Sequence, residues 1–145
     1  MMEVRPIPAD APDLAAALVA AHLPSGDLMD GGRTFFAVED GGRPIGFGGF
    51  ELYGEDALLR SIVVLPEFRG RGYGRTVTEA VLERAEEAGA RRAYLLTTTA
   101  ESFFEHGGFM PIDRAMAPAS ILGTTQATSL CATAALLSRP IRAHG

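Results

Sequence analysis

Three glycines at alternate positions, Gly70, Gly72 and Gly74, follow an apolar run and precede a segment with helical periodicity. The run 58–64 is rich in β-branched side chains and predicts a buried strand that Pro66 terminates. A helix that starts directly after such a turn presents unpaired backbone N–H groups and the positive end of its dipole, and both favour an anion. Glycine suits this turn because a Cβ would block contact between a phosphate and the backbone. The pattern therefore predicts a turn that binds a phosphate or pyrophosphate group.

The helix after this turn is predicted over residues 73–88. Val77, Val81 and Ala85 form an apolar stripe at helical spacing, and Gly89 follows as a C-terminal stop. Positive charge around the turn comes from three arginines, which are Arg69, Arg71 and Arg75. Strand, charged turn and helix thus form one anion-binding unit.

Two common phosphate-binding patterns do not fit this unit. A P-loop ends in Gly-Lys-Ser/Thr, and no lysine or hydroxyl follows Gly74 at that spacing. A Rossmann fingerprint needs its third glycine three residues after the second, and an acidic residue near the end of the next strand. The next predicted strand, 93–98, ends in threonines instead. Both patterns are excluded.

The arrangement Arg69-x-x-Gly72-x-Gly74 after an apolar strand resembles the coenzyme A pyrophosphate loop of the GNAT (GCN5-related) N-acetyltransferase family. The resemblance makes 58–64 the family's fourth strand and 73–88 its third helix. A later segment is similar to the family in order and spacing, and it comprises Thr97-Thr98-Thr99-Ala100, Phe103-Phe104 and Gly108-Phe109. The resemblance covers about residues 3–113.

An α/β fold of the GNAT kind follows from this resemblance, with a mixed central sheet of about six to seven strands and helices on both faces. Residues 1–145 are expected to form a single domain, since this length suffices for one core. The first helix is predicted to start with Asp10 as N-cap and to run through Leu14, Leu18 and His22, and 23–33 is a loop or a frayed second helix. The remaining predicted elements are strands 2–7, 34–39, 44–53, 93–98, 109–113 and 134–141, a helix over 100–106 and a helical turn in 118–123.

Acetyl-CoA is the co-substrate that the resemblance implies. In the family, two parallel strands splay apart, and the pantetheine arm lies between them against the backbone of the fourth strand. The positions of this chain that match the cofactor-binding residues are Ile62, Val63, Val64, Arg69, Gly70, Arg71, Gly72, Tyr73, Gly74, Arg75, Phe103 and Phe104.

This chain departs from the family pattern at the position of the acid that protonates the leaving thiolate. Many members place a tyrosine where this chain has Phe104, and phenylalanine cannot donate a proton. Either the thiolate leaves without a protein acid, or another hydroxyl serves, for which Ser102 is close in sequence. The departure also leaves an alternative function open, namely a GNAT-fold module that binds an acyl-CoA with little or no turnover.

Glu51 is the candidate general base, because it lies on a predicted strand face whose other members are Ile45, Phe47 and Tyr53. A carboxylate among apolar neighbours is expected to be paired or functional. Three interpretations stay open: a base at the acceptor site, an ion pair with Arg60, or a solvated strand end. A hairpin loop at 55–56 would place Glu51 and Arg60 opposite each other, and a shift by one residue would separate them.

The acceptor is expected to contact Arg60 and the threonines Thr97, Thr98 and Thr99, one of which is expected to cap the next helix. Three segments also look similar to small acetyltransferases associated with arsenic-resistance gene clusters; they are Gly48-Gly49-Phe50-Glu51, Leu95-Leu96-Thr97-Thr98-Thr99-Ala100 and Ser129-Leu130-Cys131. This resemblance implies a small amino-acid-like amine as acceptor, with an arsenic- or phosphorus-bearing analogue as one option. The identity and chirality of the acceptor stay open.

Composition narrows the partners further. The net charge of −5 disfavours nucleic-acid binding. The uncharged stretch 115–138 is interrupted by Pro118, Gly123 and Gln126, so no membrane span is expected. The single cysteine, Cys131, is expected to be a small buried side chain in a cytoplasmic protein. His22, His106 and His144 lack metal-ligand spacing, so no metal is expected, and a homodimer stays open.

Overall fold

The structure is a computed structural model that describes residues 2–130 and 132–141. The strands are β1 (Met2–Ile7), β2 (Arg33–Asp40), β3 (Arg43–Tyr53), β4 (Asp56–Val64), β5 (Arg92–Thr97), β6 (Met110–Pro111) and β7 (Ala135–Pro140). The helices are α1 (Pro12–Ala20), α2 (Tyr73–Glu87), α3 (Glu101–His106) and α4 (Ala119–Leu122), and a π-helical turn spans Gln126–Leu130. Cys131 and His144 lie outside the described residues, so the interpretations given to them are not examined further.

The described strands form one mixed sheet in the order β1-β2-β3-β4-β5-β7-β6. The first four strands are an antiparallel meander, β4 and β5 are parallel, and β7 lies antiparallel between β5 and β6. The parallel pair needs a crossover connection, which α2 supplies. The predicted α/β fold with a mixed sheet is therefore confirmed.

Helices pack on both faces of this sheet, as predicted. On one face, the stripe Val77, Val81 and Ala85 of α2 is fully buried, and α2 packs against Phe50 and Leu59. On the opposite face, α1 packs through residues that share a second apolar cluster, which includes Leu14, Leu18, Phe35, Phe47 and Val63. Within the described residues, no helix is both long and apolar enough to cross a bilayer.

The start and end of α1 differ from the sequence prediction. Ala11 is the N-cap residue, and no side chain of the described residues caps the helix, so the Asp10 cap was wrong. Pro12 occupies the first turn because its missing N–H costs nothing there. The helix ends at Ala20, and His22 lies beyond it with a φ of 58°. Residues 21–32 form turns, so the loop alternative for this segment is confirmed.

Two further predictions needed correction at the strand level. The strand predicted at 109–113 is confined to Met110–Pro111. Ile45 does not share a face with Phe47: Ile45 packs with Val77 of α2, whereas Phe47 packs with Leu14 of α1. The cause is a register shift between β2 and β3, where Gly46 pairs with Val38 but Pro44 pairs with the adjacent Glu39. Such a bulge reverses the side of one residue.

Glycines in β3 allow the neighbouring elements to approach closely. A Cβ at Gly48 would lie 2.5 Å from Cγ2 of Val81, so this glycine makes room for α2. A Cβ at Gly49 would lie 2.4 Å from the carbonyl oxygen of Thr34 on the paired strand β2. A side chain cannot occupy that second position without moving a strand.

Gly49→Ala is therefore expected to destabilise the fold by about 1–3 kcal/mol or more, since the clash is with backbone rather than with a flexible side chain. The measurement is the free energy of unfolding in urea. Gly31→Ala is the control, because a Cβ there would meet no atom of the described residues within 4 Å and the φ of Gly31 is not positive. Equal stability of the two variants would contradict the packing role of Gly49.

Candidate active site

The central feature of the site is the separation of β4 and β5. Their parallel pairing covers only Asp56–Leu58 and Arg92–Tyr94, and beyond these residues the two strands diverge. A cleft of about 560 Å³ opens between them. The residues that line it are His22, Leu23, Pro24, Leu59, Arg60, Ser61, Ile62, Val63, Val64, Gly74, Leu95, Leu96, Thr97, Thr98, Thr99, Ala100, Phe103, Phe104 and Gln126.

The β4 side of the cleft has an irregular backbone. Ser61 has a φ of 59°, and the register between β3 and β4 shifts over the same stretch. After this bulge, Ile62, Val63 and Val64 continue along the cleft wall, as the family resemblance implied. The strand edge that no longer pairs with β5 gives the cleft a wall of backbone groups, which suits an extended ligand with amide bonds.

The glycine turn lies at the end of β4 and leads into α2. Gly70 and Gly72 have φ values of 79° and 81°, a conformation that side chains rarely adopt. Gly72 is the N-cap of α2, and no side chain of the described residues caps this helix. A Cβ at Gly72 would meet no described atom within 4 Å, so the space over the helix N-terminus is open to a ligand. This geometry fits the predicted pyrophosphate site.

The three arginines of the turn have two different roles. Arg69 Nε donates a hydrogen bond of 3.0 Å to the carbonyl oxygen of Val64 and so fastens the turn to β4. The Arg71 guanidinium lies 5.9 Å from the ring centroid of Phe68, and Arg75 is exposed on the first turn of α2. Arg69 therefore shapes the turn, while Arg71 and Arg75 add positive charge around it.

Aromatic side chains of α3 form the opposite wall. Phe103 is 43% exposed, and its ring lies so close to Gly74 that a Cβ there would come within 2.9 Å. Phe104 contacts Phe103 and Phe109 in edge-to-face geometry, with centroid distances of 5.0 and 5.9 Å. Phe104, which stands where many family members have a tyrosine, is thus part of an apolar wall. Ser102 is exposed and is not among the described residues that line the cleft, so its proposed role as an acid gains no support.

A buried cluster of four charged side chains, one of which is Arg60, lies behind the cleft. Asp27 accepts two hydrogen bonds from Arg60, of 2.7 and 2.5 Å, and one of 3.0 Å from Arg33. Glu51 Oε2 accepts a 2.9 Å hydrogen bond from Arg60, and Glu51 Oε1 accepts one from the hydroxyl of Tyr53. The four charged side chains are at most 8% exposed, and two carboxylates balance two guanidinium groups.

These contacts shift the pKa values of Asp27 and Arg60. Burial of the Asp27 carboxyl raises its pKa, but the hydrogen bonds and charges of Arg60 and Arg33 outweigh this effect and place the pKa below its usual range. Burial lowers the pKa of Arg60, but the carboxylates of Asp27 and Glu51 reverse this and raise it overall. Asp27 and Arg60 are therefore both ionised near neutral pH.

Glu51 is consequently an ion-pair partner of Arg60, which confirms the second of its three interpretations. It is 1% exposed and is not among the described residues that line the cleft. The solvated strand end is wrong for the same reason. Neither of the two registers left open by the sequence occurs: Glu51 pairs with Leu58 and Arg60 pairs with Gly49. The shift of two residues kept both side chains on one face.

The three threonines lie at the end of β5, and all line the cleft. Thr97 Oγ1 accepts a 3.0 Å hydrogen bond from the N–H of Ala100, the residue that precedes α3. Thr97 therefore shapes the turn before α3, but the N-cap of α3 is Ala100 and no side chain of the described residues caps the helix, so the predicted threonine cap was wrong. Thr98 and Thr99 are exposed, so their hydroxyls face solvent at the edge of the cleft.

Four functional or supporting residues were missed from the sequence. Asp27 and Arg33 complete the buried cluster, and His22 and Gln126 line the cleft. Asp27 lies in a glycine- and proline-rich segment, where an acidic residue looks like an ordinary solvated loop residue. His22 continues the helical spacing of α1, which hid its position after the helix end.

The matching protein family is described as the acetyltransferase (GNAT) family, and its model covers residues 5–109. An uncharacterized N-acetyltransferase of Escherichia coli K12, YjgM, is 34% identical over 93 residues, which are 59% of this chain and 56% of that protein. An amino-acid acetyltransferase of Aeromonas salmonicida is 31% identical over 81 residues, 54% of this chain and 18% of that protein. The chain therefore belongs to the acetyltransferase (GNAT) family.

Solved structures share the fold. N-acetylglutamate synthase from Neisseria gonorrhoeae, complexed with coenzyme A and N-acetyl-glutamate, superposes with a TM-score of 0.81 at 18% identity. The match covers 99% of this chain and 36% of that protein. The chain also spans only about half the length of the Escherichia coli relative and about a fifth of the Aeromonas one. This match therefore establishes a shared fold.

Glu51→Gln tests the ion-pair role. Removal of one buried partner leaves an excess positive charge on Arg60 and Arg33, so the free energy of unfolding is expected to fall by about 3–5 kcal/mol. The matched control is Glu55→Gln, whose exposed pair with Arg91 should contribute less than about 1 kcal/mol. If Glu51→Gln instead kept full stability and lost turnover about 10²- to 10⁴-fold, the base interpretation would replace the ion pair.

The Tyr53 hydroxyl stabilises the cluster only as long as it is protonated, so its contribution to stability is lost at alkaline pH. Burial, then the hydrogen bond to Glu51, raise the pKa of Tyr53 to about 12. Because an unfolded tyrosine ionises near 10, this contribution to stability is complete below about pH 10 and is lost as the pH rises through about 12. Tyr53→Phe should therefore cost about 1.5–3 kcal/mol at pH 8, with the difference from wild type shrinking above pH 10. A difference that stayed constant to pH 11 in urea titrations would contradict this assignment.

Proposed function

We propose that this chain is an acetyl-CoA-dependent N-acetyltransferase that acetylates the amine of a small, amino-acid-like molecule. The carrying observation is that the open glycine turn at the N-terminus of α2 borders the cleft between β4 and β5. An anion site next to a cleft with backbone walls suits a ligand that has a pyrophosphate at one end and an extended, amide-containing arm. Acetyl-CoA has this form, and the family assignment agrees with it.

In this proposal, Gly70, Gly72 and the exposed arginines hold the pyrophosphate, and Ile62–Val64 hold the pantetheine arm through their backbone. Phe103 and Phe104 give the arm an apolar wall. The reaction joins the amine nitrogen to the thioester carbonyl carbon and breaks the C–S bond. A thiolate is a good leaving group, so the apolar side chain of Phe104 is compatible with turnover.

The proposal puts the acceptor beside five of the residues that line the cleft, which are His22, Leu23, Pro24, Arg60 and Gln126. Arg60 already contacts two carboxylates, so its charge is balanced before a substrate arrives. Its expected substrate role is therefore reduced to shaping the site. Support for an amino-acid-like acceptor comes from relatives named amino-acid acetyltransferases. The resemblance to acetyltransferases of arsenic-resistance clusters adds arsenic- and phosphorus-bearing amino acids as candidates.

A thiol-release screen with acetyl-CoA tests this function. The panel contains L- and D-amino acids, arsenic- and phosphorus-bearing analogues, and matched amines without a carboxylate, with product mass as a second readout. Thiol release that needs both the amine and the carboxylate supports the proposal. Release with simple amines alone would contradict the amino-acid part.

One outcome would favour the alternative function, a module that binds an acyl-CoA without turnover. The observation that suggests this alternative is Phe104 at the position of the family's tyrosine. Tight binding of acetyl-CoA in calorimetry, without thiol release for any amine, would make this chain an acyl-CoA-binding module. Absence of both binding and release would contradict the two functions together.

Gly72→Asn tests the turn. Asparagine tolerates a positive φ, but its side chain would stand where the proposal places the pyrophosphate, so the affinity for CoA should fall by at least about tenfold. Gly54→Asn is the control, since Gly54 also has a positive φ and its Cβ would meet no described atom within 4 Å. The calorimetric affinity of Arg71→Ala should fall less, because an exposed charge is screened by salt. Wild-type affinity in Gly72→Asn would remove the turn from the site.

A further inference from the structure

His22 occupies a position in the cleft that its place in the sequence did not suggest. It follows the C-terminus of α1, is exposed to solvent, and lines the cleft together with Leu23 and Pro24. These three residues border the cleft from the α1 face of the sheet, the face from which Arg60 also reaches it. Gly74 and Phe103 border the cleft from the side of α2 and α3. His22 thus borders the cleft from the face of the sheet opposite α2, the helix that begins at the anion-binding turn.

The backbone at His22 is held in an uncommon conformation. Its φ of 58° lies in the left-handed region, and the N–H of His22 donates to the carbonyl of Val19, while the N–H of Leu23 donates to that of Leu18. These are the two hydrogen bonds of a Schellman helix end, in which glycine is the usual residue. The helix end therefore explains the backbone of His22, but it does not require an imidazole.

Transfer of an acetyl group to an amine needs a group that accepts a proton near neutral pH. Among the described residues that line the cleft, the ionisable side chains are His22 and Arg60. Arg60 stays charged, because its carboxylate partners raise its pKa further. The carboxylates of Asp27 and Glu51 are buried behind Arg60 and are not among the described lining residues. Histidine is the side chain that most often serves as a general base.

We propose that His22 is the general base of the reaction, an inference that rests on the proposed N-acetyltransferase function. The ammonium group of the acceptor gives one proton to the imidazole, which passes it to solvent at the exposed mouth of the cleft. The neutral amine then attacks the thioester carbonyl, the C–S bond breaks, and the thiolate leaves. The excess proton on the new amide nitrogen goes to the thiolate. The balance is one ammonium plus acetyl-CoA giving one N-acetyl product, free CoA and one proton.

Two substitutions separate this role from the helix end. His22→Asn and His22→Gly both suit a positive φ, so each should keep the turn and the melting temperature while removing the base. His22→Asn is expected to lower kcat by about 10²- to 10⁴-fold, the range for general bases, with the Kd for CoA changed less than about twofold. His106→Asn is the matched control. His106 ends α3, lies outside the described lining residues, and should leave kcat unchanged.

Chemical rescue provides the readout that a structural role would not move. Added imidazole should restore activity to His22→Gly in a saturable manner, because the missing side chain leaves room for a free base, and it should not accelerate the wild type. An active wild type with a normal kcat in His22→Asn would overturn the role of His22 and leave the proposed function intact. Loss of activity without rescue by imidazole, or a change confined to the KM of the amine, would also overturn it. An inactive wild type would overturn both.

Discussion

The site depends on the loss of pairing between β4 and β5 beyond Leu58 and Tyr94. A parallel pair in the middle of a sheet normally satisfies its backbone groups strand to strand, and an opened pair exposes N–H and C=O groups that need other partners. The structure confines this cost to one side of each strand, since β4 still pairs with β3 and β5 still pairs with β7. The opened edges thus become a binding surface.

Separate elements stabilise the opened strands on their outer sides. Behind β4, the neutral cluster of Asp27, Arg33, Glu51 and Arg60 ties the loop after α1 to β3 and β4 through hydrogen bonds of 2.5 to 3.0 Å. Charges this deeply buried are costly to remove singly, and a balanced, hydrogen-bonded set gives the loop a defined position. Since this loop begins at His22 and Leu23, the cluster also orients the wall of the cleft proposed for the acceptor.

The two faces of the sheet carry different kinds of side chain near the cleft. On the α2 face, apolar packing of Val77, Val81 and Ala85 fixes the helix whose N-terminus meets the glycine turn. On the α1 face, the cleft is bordered by the exposed His22 and by Arg60, the member of the buried charged cluster that lines it. In the proposed function, an acyl donor and an amine therefore approach from different sides and meet between β4 and β5. The separation suits a reaction that joins two different molecules.

The sequence by itself determined the features that depend on local order. The apolar run 58–64, the glycines 70–74 and the periodicity of 73–88 predicted strand, turn and helix, because each signal lies within about one element. It also paired Glu51 with Arg60, although in the wrong register. The buried partner Asp27, the place of His22 beside the cleft and the face of Ile45 were decided by the tertiary structure. Each depends on contacts between distant segments, or on a bulge that shifts one residue, and neither leaves a periodic trace in the sequence.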